Sequence, residues 1–462
     1  MSKKILIFYI VIALCTSCSK FLDVGTPSNN IVSEAVYQSS YSAAAVLTGI
    51  YPDLYNFVSG TEFFFKCSLM ADDFTLYDPT SGLNEYYSNN YGMDGEFWVR
   101  LYSFLYRINS AIEGLNAAKT LPIDVKKQLL GESYFLRAFC YFYLVNLYGD
   151  VPLLTKSDYK ENSTKSRSTV ENVLNMIISD LLDAKEMLHD DYLSADMVTV
   201  TDERVRPTKD AASALLARVY LHKGEWGLAE MESSTIIDRK AKYDLVSLNE
   251  VFLKNSPESI WQLQPSNIVG FNTLDAKVFV LINGPDQNHP IYLSSSLIES
   301  FENEDLRKSS WLGISTVGNE QYYYPFKYKL YKNDDMDGEY LTIFRVAEQY
   351  LIRSEARAQM DNINGALTDL NTIRARAGLD ALVGGGKDAL MHAILNERRC
   401  EFFSEGGHRW FDLKRMGRLD DIMPQACALK GGQWFSYKQL LPIRLGDIRL
   451  NPNITQNPGY SR

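Results

Sequence analysis

Apolar residues recur three or four positions apart through most of this chain, and the rhythm fails in two long stretches. From Glu34 an alanine-rich face runs through Ala43, Ala44, Leu47, Ile50 and Leu54, the period of an amphipathic helix. Leu101, Leu105, Ile108 and Ile112 predict a helix over 98–115. A strongly apolar run containing Leu129, Phe135, Phe139, Phe142 and Leu147 predicts a longer one over 125–148, stopped by Gly149-Asp150-Val151-Pro152. Ser168 or Thr169, with Glu171 behind it, caps a helix reaching Leu188, and 208–222 reads as another.

Here the chain repeats itself. Ala217, Tyr220, Gly224, Trp226 and Ala229 have the spacing of a helix–turn–helix repeat, in which small residues let two helices approach and an aromatic ring fills the gap. Ser354, Asp361, Ile363 and Ala366 stand at matching offsets 137 residues further on, and Ile236 is answered by Ile373. Segments 134–147 with 170–188, and 43–54 with 98–115, read as two more pairs. The predicted fold class is all-α, a tetratricopeptide-like helical-repeat scaffold over 34–57, 98–240 and 341–415. An irregular lobe containing short strands is inserted into it, and 34–462 is read as a single domain.

The rhythm fails over 58–97 and 243–340, which are rich in Gly, Asn, Ser, Pro and Tyr. Runs such as Ser259-Ile260-Trp261-Gln262-Leu263 and Tyr322-Tyr323-Tyr324 read as short strands. Long irregular insertions on a regular frame are where function concentrates, so ligand contacts are expected here.

The first residues change the picture of where the chain works. Lys3 and Lys4, an apolar run from Ile5 to Leu14, and then Cys15-Thr16-Ser17-Cys18 read as an export signal, too short to span a membrane. The small residues before Cys18 match a lipoprotein cleavage site, although Cys15 stands where Leu is usual. The expectation is a signal peptide over 1–17, lipid attachment at Cys18 and a tether over 18–33. Loss of Lys3 and Lys4 moves the formal charge from −10 to −12, which argues against sequence-independent nucleic-acid binding. Cys67, Cys140, Cys400 and Cys427 remain, far apart in apolar sequence, and read as buried thiols.

Candidate chemistry centres on ring faces. A sugar packs its C–H groups on an aromatic face while its hydroxyls bond to Asp, Asn and Gln around the rim. The insertions supply that mixture, and the candidate ligand-binding residues are Asp73, Tyr77, Tyr86, Tyr87, Tyr91, Asn288, Tyr292, Trp311 and Tyr323, with Tyr322 beside them. Trp98, Trp226 and Trp410 lie in helical patterns and read as core; Trp261 fits either role. The acids and arginines of Glu397-Arg398-Arg399 with Glu401, and of Arg409, Asp412 and Arg415, read as a structural ion-pair network, since no nucleophile or metal set accompanies them. Asn333, Asp335, Asp337 and Gly338 reproduce the first half of a calcium loop, but the twelfth position would be Phe344, which cannot ligate. An acidic surface loop is the preferred reading, and no cofactor is expected.

Short blocks along the whole chain carry a resemblance. They are Phe21-Leu22-Asp23, Gly131-Glu132-Ser133-Tyr134-Phe135-Leu136-Arg137-Ala138, Leu147-Tyr148-Gly149-Asp150-Val151-Pro152 and Ala214-Leu215-Leu216-Ala217-Arg218-Val219-Tyr220-Leu221. Further on come Arg345-Val346-Ala347-Glu348-Gln349-Tyr350-Leu351, Ile373-Arg374-Ala375-Arg376-Ala377-Gly378, Arg409-Trp410-Phe411-Asp412, Leu441-Pro442-Ile443 and Gln456-Asn457-Pro458-Gly459-Tyr460. In this order they resemble the SusD/RagB family, surface lipoproteins that deliver nutrients to TonB-dependent outer-membrane transporters. The resemblance implies a non-catalytic protein, lipid-anchored at the cell outer membrane and exposed on the surface, which captures oligosaccharides and seats on a SusC-like transporter. Ser19 and Lys20 depart from the acidic residues that often follow the lipid cysteine, and no ligand residue transfers by position. A peptide-binding member of the family, a ligand-free envelope interaction protein and a glycoside hydrolase with two carboxylates are the alternatives.

Overall fold

The computed structural model describes residues 36–266, 272–331 and 338–461. Among them stand thirteen helices of eight or more residues. In chain order these are α1 (Ser40–Thr48), α2 (Ile50–Val58), α3 (Phe63–Met70), α4 (Glu96–Ala117), α5 (Ile123–Tyr148), α6 (Val170–Met187), α7 (Lys209–Lys223), α8 (Trp226–Ile237), α9 (Val346–Gln359), α10 (Ile363–Arg376), α11 (Lys387–Phe402), α12 (His408–Arg415) and α13 (Leu419–Leu429). Thr169 caps α6, its hydroxyl accepting from the Asn172 N–H at 3.3 Å. Helices α4 to α10 stack in sequence, each against the next, as a helical-repeat array requires.

The repeat seen in the sequence is present in space. Gly224 ends α7 at φ +79° and Asp361 follows α9 at φ +62°, so both turns use the left-handed region, at a steric cost for Asp361. Ala217, Ala229, Ser354 and Ala366 are fully buried at the two crossings, and the Ser354 hydroxyl donates to the Ala366 carbonyl at 2.8 Å. One expected pairing shifts: α4 packs mainly on α5, and α1 touches both. A second difference lies at 63–70, read as irregular chain but forming α3. Buried at every position but Lys66, it shows no clear apolar period because it is enclosed on nearly all sides. Its Phe63 ring lies 4.8 Å from Phe57 and 5.1 Å from Tyr143.

Among the described residues eight short strands pair antiparallel two by two: β1 (Phe74–Leu76) with β5 (Ile291–Leu293), β2 (Val151–Pro152) with β3 (Arg167–Ser168), β4 (Ser259–Leu263) with β8 (Leu341–Arg345), and β6 (Leu312–Val317) with β7 (Glu320–Pro325). Trp261 on β4 is core, stacked on Phe344 of β8 at 5.8 Å, and Trp98 and Trp410 are buried as well.

The acids and arginines of α11 are clamped into the interior. Fully buried Glu401 accepts from Arg345 at 2.6 Å and Arg307 at 3.0 Å, and also from Arg376. Burial would raise its carboxyl, yet Arg376, Arg345 and Arg307 hold it well below the usual range. Arg398 and Arg415 each bond Asp412, at 2.8 Å. Cys67, Cys140, Cys400 and Cys427 are buried free thiols, and no helix among the described residues is long and apolar enough to cross a membrane.

Candidate ligand-binding site

Strand alternation builds the site. In β1 and β5, Phe74, Leu76, Ile291 and Leu293 turn into the core, which leaves Thr75 and Tyr292, directly paired across the ladder, on the outer face. Tyr77 continues that face, its N–H donating to the Pro290 carbonyl at 2.8 Å. β7 lies alongside β5, and its Tyr322 ring meets Tyr292 edge to face at 5.1 Å. Beneath them Val280, Leu281 and Tyr324 form a small apolar cluster separate from the main core. Gly313 of β6 makes room for it: a Cβ there would stand 2.2 Å from the Tyr324 ring. The result is a ledge of Tyr77, Tyr292 and Tyr322 at the rim of the lobe.

A cavity of about 660 Å³ opens beside this ledge and shares Thr75 with it. Its walls come from distant segments: Asp72, Phe74 and Tyr87, then Ser294, Ser296, Glu299 and Ser300, then Arg399 and Arg409, and finally Gln425 and Lys430 from α13 and its end. At its base Arg399 bonds Asp73 at 2.8 Å and Asp72 at 3.0 Å, while Arg409 grips both oxygens of Asp72 at 2.8 and 3.0 Å. Burial pushes both acids up; for Asp72 the two guanidiniums overcome it and hold the carboxyl low, whereas Asp73 stays raised beside that second negative charge. Lys430 donates to the Leu69 carbonyl at 2.7 Å and lies 4.7 Å from the centre of the Tyr87 ring, and burial lowers its ammonium to about 8.

The residues singled out from sequence scatter across this architecture. Tyr77 is 49% exposed and Tyr292 half-buried, both on the ledge. Tyr87 is 7% exposed in the cavity wall, and burial raises its phenol above the ordinary value. Asn288 is exposed in the loop before β5, its N–H on Asp286 at 2.7 Å. Others are drawn away from the surface. Trp311 is fully buried, its indole N–H on the Leu248 carbonyl at 2.8 Å, so it presents no face to a ligand. Asp73 is committed to Arg399. Tyr86 and Tyr91 pack on each other at 6.2 Å, at a separate small pocket. Tyr323 points away from the ledge because it alternates with Tyr322 and Tyr324 on β7, and Tyr322 takes the place on the ledge. Asn333, Asp335 and Asp337 lie outside the described residues, as does Cys18, while Phe344 is core. The serines, Gln425 and Lys430 of the cavity were not singled out, since nothing local in their sequence marks them.

Among the described residues a helical-repeat frame thus carries a loop-built lobe whose tyrosine faces lie beside a polar cavity. Two family models match the chain, one described as starch-binding and associating with the outer membrane over residues 20–221, the other as the SusD family over residues 287–460. The chain belongs to the SusD family. It is 24% identical to the SusD-like protein P38 of Formosa agariphila over 98% of both chains. Among solved structures it is similar to a laminarin-binding SusD-like protein, with a TM-score of 0.75 at 22% identity covering 90% of this chain and 99% of that one. It is likewise similar to the surface glycan-binding protein A of Bacteroides fluxus, at a TM-score of 0.74, 23% identity and 92% and 99% coverage. These likenesses confirm the mostly helical, tetratricopeptide-like fold with short strands expected from the sequence.

Proposed function

We propose that the protein captures oligosaccharides at the tyrosine ledge and the adjoining cavity without altering them, and passes them to a TonB-dependent SusC-like transporter. It does so from the cell outer membrane, anchored through lipid on Cys18 and facing outward. The observation that carries this reading is the convergence of Tyr77, Tyr292 and Tyr322, from three separate segments, on one exposed ledge beside the cavity. Ring faces of this kind pack on sugar C–H groups, and Thr75, the serines and Gln425 can take up hydroxyls. Support comes also from two structural neighbours, a laminarin-binding SusD-like protein and a surface glycan-binding protein. A capture role fits the base of the cavity, where Asp72 and Asp73 are tied to Arg399 and Arg409 instead of being poised for proton transfer.

The test is calorimetry of the purified protein against a glycan panel, followed by the double variant Tyr292→Ala and Tyr322→Ala. Affinity for a bound glycan falls at least about tenfold in that variant, with no release of reducing ends by the parent protein. Unchanged affinity sinks the site, and turnover of the glycan sinks the capture reading. Palmitate labelling that disappears in Cys18→Ala and co-purification of a transporter with the parent check the anchor and the partner.

A further inference from the structure

We propose that the glycan held at this ledge is an uncharged one and that sulfated or uronate-bearing chains are turned away; this rests on the binding role just proposed. The ledge carries fixed negative charge with no cationic partner among the described residues. Glu320 begins β7 beside the ledge, and among the described residues its carboxylate accepts the Tyr322 hydroxyl. Asp78 directly follows Tyr77 and accepts from the Thr80 N–H at 2.9 Å and the Thr80 hydroxyl at 2.6 Å. Glu299 stands in the cavity wall.

The cations of the same cavity are already engaged. Arg399 and Arg409 hold Asp72 and Asp73, and Lys430 is bound to the carbonyls of Leu69 and Ala71. His289 beside Tyr77 bonds Asp286 at 2.9 Å, and Arg418 pairs with Asp421 of the cavity wall at 2.7 Å. A sulfate or uronate would have to strip a guanidinium from a buried carboxylate, leaving that acid without its partner, or lie against Glu320 and Asp78. A neutral sugar meets neither obstacle, because its hydroxyls donate to those same carboxylates. The negative field is felt locally: the bond to Glu320, with burial and the charge of Glu320 behind it, pushes the Tyr322 phenol up to about 12.

An array carrying neutral, uronate-bearing and sulfated oligosaccharides tests the idea. Neutral chains alone should bind, and chemical sulfation of one that binds should weaken it at least about tenfold at low salt. The gap should narrow at high salt, where screening shortens the reach of charge to about 3 Å at 1 M, and narrow again in the Glu320→Gln, Asp78→Asn variant. Equal or tighter binding of the sulfated form, or an array bound only at its anionic members, overturns the inference and leaves the binding role intact. No binding to any glycan overturns both.

Discussion

In the interior Trp261, Trp311 and Trp410 are enclosed and Glu401 sits among three guanidiniums, whereas on the ledge Tyr77 is 49% exposed and Glu320 has one hydroxyl for company. The same residue types do opposite work in the two regions. In the interior these rings and charges are taken up by the protein itself. On the ledge, Tyr77 and the carboxylates of Glu320 and Asp78 are left without a cationic partner among the described residues, which is what the proposed ligand would meet. What separates scaffold from recognition surface is therefore the degree of satisfaction of each group, not its chemical kind.

The sharpest way to break this comparison is to desaturate the frame. Glu401→Gln leaves Arg307, Arg345 and Arg376 short of a buried countercharge and should cost about 3–5 kcal/mol in chemical denaturation, while molecules that remain folded bind glycan as before. A loss under 1 kcal/mol would show that the buried network is not what holds the frame together.

The seam between the two regions titrates. Asp275 accepts the Gly60 N–H at 2.6 Å, and burial raises its carboxyl to about 7. A raised carboxyl stabilises fully below its unfolded value and loses that contribution as pH climbs through the folded one. Stability of the parent should thus fall by about 2–4 kcal/mol relative to Asp275→Asn between pH 4 and pH 8. Parallel pH profiles for the two proteins would contradict the assignment.

Trp311→Leu and the ledge double variant sharpen the contrast from both sides. The first removes a buried ring and its hydrogen bond, lowering stability by about 2–4 kcal/mol with affinity unchanged. Replacing Tyr292 and Tyr322 by Ala should instead shift the denaturation midpoint little while lowering affinity about tenfold. An exchange of these two phenotypes would mean that the ledge is scaffold and Trp311 the platform.

The frame was legible because its rules are local. Ala217 and Ser354, Gly224 and Asp361, and Ala229 and Ala366 recur at one offset, and close helix crossings demand small residues wherever they occur. Helix α3 escaped because a segment enclosed on nearly all sides has no clear phase to read. The ledge was half legible: Tyr77 and Tyr292 were named, yet Trp311 and Tyr323 stood beside them in composition with nothing to tell them apart. One register step on β7 decides between Tyr322 and Tyr323, and the enclosure of Trp311 depends on Leu248, 63 residues away.

By itself the sequence determined the helical repeat, the paired acids and arginines as structure, the buried thiols and the two regions where regularity stops, because each follows from spacing within a few turns of chain. Only the tertiary structure decided which tyrosines share a face, which carboxylates keep their charge open and which arginines are consumed by Asp72 and Asp73. The last of these joins segments more than 300 residues apart, and partner saturation is a property of the packed neighbourhood that no local pattern encodes.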